Sequence, residues 1–166
     1  MPTTPTREQQ ERWHEIVNDP LLSDLPYKLE TNARGQILLS PHTLHHADAQ
    51  GQLLDLLRTH ADGGRGLPEL PLCTEAGTKQ IDVVWASTDR LARITESGDP
   101  TTIAPEICIE VMSDTNDWEE MPEKRALYRK AGAEEVWVVD GDGQIHFFRE
   151  EEIDQSELVP TLPSSL

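Results

Sequence analysis

Two acidic side chains stand inside apolar runs. In "QIDVVWA", Asp82 interrupts a β-branched pattern; in "PEICIEVMSD", Glu110 interrupts Ile107, Cys108, Ile109, Val111 and Met112. A carboxylate in such a run is costly unless it is ion-paired, holds a metal, or lies at an exposed strand end. One such acid reads most simply as a strand-end group or half of an ion pair. Two of them, on strands that both read as central, point to converging oxygens. Converging carboxylates suit a hard divalent cation, Mg²⁺ or Mn²⁺, which shares its coordination with waters and phosphate oxygens.

A lysine raises a related question. In "WEEMPEKRALYRKAG", Met121, Lys124, Tyr128 and Ala131 recur at helical spacing, with Leu127 beside them. Lys124 either lays its stem along the edge of the core or directs its ammonium over the sheet toward the carboxylates. In the second case it would orient a water and stabilise charge on a phosphoryl transition state. Glu30, which closes "YKLE", reads as a fourth inward polar group or as an exposed strand-end acid. His42, His45 and His46 gather where the next helix begins. His42 and His46 would suit a transition metal if both were helical, but a surface helix start is the simpler reading.

Several elements must position these groups. "TREQQERWHEIVND" reads as a helix over about 6–18, ending before Pro20. "YKLETNARGQILLS" reads as two strands joined by a turn near Asn32–Gly35. A helix follows in "TLHHADAQGQLLDLLRTH", with Leu53, Leu54 and Leu57 on its apolar face. "ADGGRGLPE" reads as a loop. "LPLCTEA" and "QIDVVWAS" read as a second strand pair around Gly77, and "DRLARITESGDP" as a short helix or turn with a connector. The Glu110 strand comes next, then a helix over roughly 117–131 with Asp117 as N-cap and Gly132 as its stop. "EVWVVD", the turn "GDG" and "QIHFF" form a closing hairpin. The strand–helix–strand run at 105–140 predicts one parallel crossover, and hence an α/β fold with a mixed β-sheet flanked by helices.

The chain has 166 residues, enough for one domain and too few for a comfortable second. We expect a single domain over 1–166, with its core at about 25–149 and an acidic, solvated, partly disordered tail over about 150–166. No apolar run suits a membrane span and the N-terminus has no apolar signal core, so a cytoplasmic protein is expected. Cys73 and Cys108 sit in strand-like apolar settings and read as small buried hydrophobes. The net charge of −17 argues against a broad polyanion-coating surface, since such binding is driven by Lys and Arg. It leaves room for a small cleft acting on a phosphodiester.

These stretches carry a resemblance. "YKLETNARGQILLSP", "QIDVVWAS", "PEICIEVMSD" and "EKRALYRKAGAEEVWVVD", in that order, resemble the Uma-type restriction-endonuclease family, long a domain of unknown function, of the PD-(D/E)XK nuclease superfamily. The resemblance covers roughly residues 25–149 and rests on order and spacing more than on any single motif. It implies a restriction-endonuclease-like fold and Mg²⁺- or Mn²⁺-dependent phosphodiester hydrolysis. By this likeness Asp82 and Glu110 are the metal-holding acids, Glu30 the acid of the opening hairpin, and Lys124 a catalytic lysine that has moved from strand to helix. Two departures stand out. Ile81 replaces the proline before the aspartate, and Met112 stands where the superfamily's strand lysine would be.

The expected partner is nucleic acid, DNA foremost, bound weakly and with steep salt dependence. "EKRALYRK" offers Lys124, Arg125, Arg129 and Lys130 as a local basic strip for it, or as a solvated face balancing nearby glutamates. The family likeness also suggests a homodimer, with Trp13 and Trp118 as interface or core residues. Two rivals remain: a catalytically silent nuclease fold that binds a protein through its acidic surface, and a hydrolase of smaller phosphate esters.

Overall fold

The computed structural model describes residues 4–113 and 118–166. The first element is helix α1 (Thr4–Val17), whose Trp13 and Ile16 are buried. The hairpin β1 (Tyr27–Thr31) and β2 (Ile37–Pro41) follows as a separate two-stranded sheet. Its turn is set by Asn32, whose Oδ1 accepts the N–H groups of Arg34 and Gln36, and by Gly35 at φ 73°. Helix α2 (Leu44–His60) starts on the Thr43 hydroxyl, which accepts the His46 N–H.

A six-stranded sheet carries the rest. Its order is β3 (Gly64–Thr74), β4 (Gly77–Ser87), β5 (Ile107–Val111), β6 (Glu135–Val139), β7 (Ile145–Phe148) and β8 (Glu152–Ile153). Only β5 and β6 run parallel; the other pairs are antiparallel. Helix α3 (Thr88–Ser97) connects β4 toward β5, and α4 (Met121–Lys130) is the crossover between the parallel strands. The mixed α/β architecture is therefore the expected one.

Alternation along β5 divides the core. Ile107, Ile109 and Val111 pack with Ala49, Leu53 and Leu57 of α2, and with Trp137 and Val139 of β6. Cys108 packs on the other face with Leu127 and Tyr128 of α4 and with Val136. Glu110 shares that second parity.

Three sequence expectations change. The "ADGGRGLPE" loop is mostly strand: β3 begins at Gly64. A Cβ on Gly64 would lie 2.2 Å from the Ala86 carbonyl oxygen, and one on Gly66 would meet Leu54 and Leu57, so these glycines serve close packing and not a turn. Pro68 and Pro71 are tolerated because β3 is an edge strand. The acidic C-terminal stretch does not float. It forms β8 and buries Ser156, Val159 and Leu162. Its anchor is the buried Glu135, whose carboxylate accepts from Trp137 Nε1, Ser156 Oγ, and the Glu157 and Leu158 amides at 2.7–3.0 Å. Finally, α4 begins at Met121, with Pro122 in its first turn, and ends at Lys130, with Gly132 at φ 117° just beyond its C-cap Ala131. Asp117, the expected N-cap, lies outside the described residues. Trp13 is a core residue, whereas Trp118 is exposed against His146. Both cysteines are free thiols; burial raises the Cys108 pKa well above normal, and burial, with Asp99 nearby, brings Cys73 to about 11. Among the described residues, no helix is long and apolar enough to cross a membrane.

Candidate active site

The β4–β5 ladder stops at the Val83–Ile109 pair, so Asp82 and Glu110 stand opposite each other one step beyond it. There the Val111 N–H turns to the Asp82 side chain, donating to Oδ2 at 2.8 Å. Asp82 and Glu110 are 2% and 1% exposed. Strand-centre acids at this point are buried but not orphaned. Tyr128 of α4 donates its hydroxyl to Glu110 Oε1. Lys124, one turn earlier, places Nζ 3.6 Å from Glu110 Oε2 and 3.9 Å from Glu30 Oε1. Glu30 Oε2 accepts the Gln80 amide at 2.9 Å, which ties β1 to β4. Glu30, Asp82, Glu110 and Lys124 thus come together from four elements. They meet at a cleft of about 460 Å³, lined by Glu30, Asp82 and Lys124, with Glu110 beneath.

Two further residues belong to the site: Lys28, which the sequence reading passed over, and His46, for which it preferred a surface helix start. Lys28 of β1 is buried, with Nζ 3.0 Å from Asp82 Oδ1 and 3.5 Å from Glu110 Oε2. His46 Nε2 lies 3.0 Å from the same Asp82 Oδ1. One turn on, Gln50 donates to the Asp82 backbone carbonyl. His46 is therefore no surface helix start. Helix α2 begins only at Leu44, which leaves His42 outside it, with Nδ1 4.0 Å from Glu69.

Both residues had a signal in the sequence. In "YKLET" the apolar Tyr27 and Leu29 suggest an inward face, yet Tyr27 is exposed and Lys28, Glu30 and Thr31 are buried. Period-two alternation puts Lys28 on the face of Glu30, so an inward Glu30 carries Lys28 with it. His46 lies seven residues before Leu53, on the stripe that α2 buries through Ala49, Leu53 and Leu57.

The electrostatics follow from burial and charge. Burial disfavours the Asp82 carboxylate, but Lys28 and His46 hold it below the usual carboxylate range. Burial pushes Glu110 up to about 7 against the pull of Lys124 and Lys28. Burial works against both ammoniums, and the surrounding carboxylates still raise Lys28 and Lys124 above the ordinary lysine value. The hydrogen bond to Asp82 raises His46.

The expected basic strip does not gather here. Arg125 stacks on Phe148 at 3.9 Å, Arg129 donates to the Glu134 carbonyl, and Lys130 pairs with Glu75 at 2.6 Å. One position along a helix rotates a side chain by about 100°, which turns these residues off the Lys124 face. The cleft's cationic groups are instead Lys28, Lys79 and Lys124.

The family model for Uma2, described as "Putative restriction endonuclease", matches residues 8–165. The chain belongs to the Uma2 family. Its fold is similar to that of "a putative nuclease belonging to DUF820" from Anabaena variabilis. The two share 16% identity over 82% of this chain and 86% of that one, with a TM-score of 0.67. That likeness bears on fold alone and agrees with the restriction-endonuclease-like architecture of this Uma2 chain. A DrdV–DNA complex matches at 12% identity and a TM-score of 0.44, over 89% of this chain and 12% of that one. No curated protein matches.

Within the Uma2 framework, the donor chemistry suits a hard cation, because Asp82, Glu110 and Glu30 all offer carboxylate oxygens. Yet among the described residues no three His, Cys, Asp or Glu side chains form a group able to hold a metal ion. Between the Asp82 and Glu110 carboxylates stands the Lys28 ammonium, 3.0 and 3.5 Å from their oxygens. Met112, at the position of the superfamily's strand lysine, packs with Met121, Val138 and Phe148 and supplies no charge.

Proposed function

We propose that this chain is a metal-dependent endonuclease that hydrolyses phosphodiester bonds in nucleic acid, with DNA as its first candidate substrate. The observation that carries the reading is the meeting of Glu30, Asp82, Glu110 and Lys124 at one cleft. Asp82 and Glu110, with Glu30 nearby, would hold Mg²⁺ or Mn²⁺. When bound, such an ion lowers the pKa of a coordinated water and clamps the phosphate.

The protein's own groups do the positioning. The Val111 amide and His46 fix the Asp82 carboxylate, and Tyr128 fixes Glu110. Lys124 brings an ammonium to the cleft, where it orients the attacking water and offsets charge developing on the phosphate. Lys28 and Lys79 add local positive potential.

The net charge of −17 opposes the approach of a polyanion. Screening confines surface charge effects to about 8 Å at physiological salt, so the cleft lysines act locally. Binding is accordingly weak and steeply salt-dependent. The reading places the protein in the cytoplasm with its substrate. A homodimer would present two clefts to two strands.

One observation favours a second reading. The carboxylate oxygens of Asp82 and Glu110 already have protein partners. A catalytically silent nuclease fold that binds a protein partner through its acidic surface would tolerate such closure. Calorimetric titration of Mn²⁺ separates the two. Saturable binding to wild type that is lost in Asp82→Asn/Glu110→Gln supports the nuclease; heat unchanged by the double substitution contradicts it.

A further inference from the structure

Lys28 neither holds the metal nor orients the water in the nuclease reading, yet its ammonium is the one placed nearest Asp82. It comes from the separate β1–β2 hairpin, not from the main sheet. Its ammonium nonetheless reaches the point where Asp82 Oδ1 and Glu110 Oε2 approach each other, at 3.0 and 3.5 Å. The other two oxygens are held by the Val111 amide (Asp82 Oδ2) and by Tyr128 (Glu110 Oε1), so a cation would approach through the pair that Lys28 spans, where His46 also meets Asp82 Oδ1 and Lys124 flanks Glu110 Oε2.

Charge counting makes the conflict explicit. Glu30, Asp82 and Glu110 face Lys28 and Lys124 at ion-pair distance, leaving one net negative charge before Lys79 and His46 are considered. A dication added to that set would leave the cluster positive and would meet an ammonium at contact distance. With Lys28 withdrawn, the three carboxylates keep Lys124 and, on the cleft wall, Lys79, and the cluster is one unit more negative toward a dication. The lysine stem is long and flexible, and Lys28 lines the cleft that leads to solvent.

We propose that Lys28 is a built-in occupant of the cation position, a tethered competitor that a divalent metal must displace before the site is loaded. The inference rests on the nuclease reading, since it presumes that Asp82 and Glu110 take a metal. It adds an autoinhibitory contact: metal affinity is set by how readily the β1 lysine leaves. Lys124 has no such role, because it lies farther from Asp82 and bridges Glu110 to Glu30.

The test is a Mn²⁺ titration of wild type and Lys28→Met, which keeps the chain length and removes the charge. The variant is expected to bind Mn²⁺ at least about tenfold more tightly, because one contact charge is removed from the cation position. Equal or weaker binding by a folded Lys28→Met, with wild type binding normally, overturns the competitor and leaves the nuclease reading standing. Absence of binding in both proteins overturns the metal site itself, and the competitor with it.

Removing Lys28 leaves two buried carboxylates facing each other, so the variant carries a folding risk. A second measurement therefore uses wild type alone. Reductive methylation of lysines by formaldehyde and a borohydride is mapped by mass spectrometry with and without saturating Mn²⁺. Lys28 is expected to be protected without metal and severalfold more reactive with it. Lys28 reactivity that does not rise while Mn²⁺ is bound overturns the proposal.

Discussion

The Val111 amide donates to Asp82 Oδ2 across the point where β4 and β5 stop pairing. This bond makes the Asp82 carboxylate an extension of the strand ladder and holds it opposite Glu110. An amide in place of the carboxylate keeps the shape but loses the charge. Asp82→Asn is therefore expected to retain the fold and to lose metal-dependent cleavage. Circular dichroism checks the first point and a DNA cleavage assay the second. Stability should fall by about 3 kcal/mol, the scale for removing one partner of a buried ion pair, since Lys28 loses its nearest counter-ion. Cleavage retained by the folded variant would contradict the assignment.

Lys124 makes a narrower prediction. Its pairs with Glu110 and Glu30 are at 3.6 and 3.9 Å, too long for strong hydrogen bonds. Lys124→Met should thus cost little stability while lowering turnover by roughly a hundredfold, the scale for losing one electrostatic stabiliser of a transition state. Comparing thermal midpoints with turnover rates at saturating DNA checks both halves. A variant as active as wild type would mean that the ammonium merely balances Glu110.

Glu135 bears on the fold. Its fully buried carboxylate accepts four hydrogen bonds, three of them from Ser156, Glu157 and Leu158. Glu135→Ala should cost about 3 kcal/mol in unsatisfied donors, read from denaturant unfolding. It should also open residues 150–166 to proteolysis. If the C-terminal stretch stays as resistant as in wild type, this carboxylate is not its anchor.

His146 sets a pH dependence away from the cleft. Burial pulls its pKa down, but hydrogen bonds to Asp140 and Glu152, at 2.8 and 3.0 Å, outweigh that and raise it. Burial raises Asp140, and the His146 hydrogen bond and two backbone amides more than reverse it. The raised His146 contributes fully below its ordinary value of 6.5 and loses its contribution as pH climbs through the folded value. The lowered Asp140 contributes above 3.8 and loses its contribution as pH falls through its own folded value. The window lies between. His146→Gln should lower the thermal midpoint more at about pH 5.5 than at about pH 8.5. An equal or larger loss at the higher pH would contradict the pairing.

The sequence made the strands legible because their periodicity was strong: "ICIEV" and "EVWVV" are both fully buried and form the parallel pair. Asp82 and Glu110 stood out because each broke such a run. Lys124 was legible because helical spacing aligned it with Met121 and Tyr128. Lys28 was hidden for the opposite reason. In an exposed two-stranded hairpin the apolar residues do not face inward, and Leu38 and Leu39 are half exposed. The polar face is the one that docks. Val159 and Leu162 were masked by the acids around them, because composition averages over a segment while burial selects single residues.

The central claim is that the cleft over Asp82 and Glu110 cleaves nucleic acid with a divalent metal. The most direct measurement is nicking of supercoiled DNA at low salt by wild type and Asp82→Asn, each with Mg²⁺ and with chelator. Nicking by wild type alone, only with Mg²⁺, and suppressed as salt is raised is the predicted result. Equal nicking by both proteins, or none by a folded wild type in Mg²⁺ or Mn²⁺, would contradict the account.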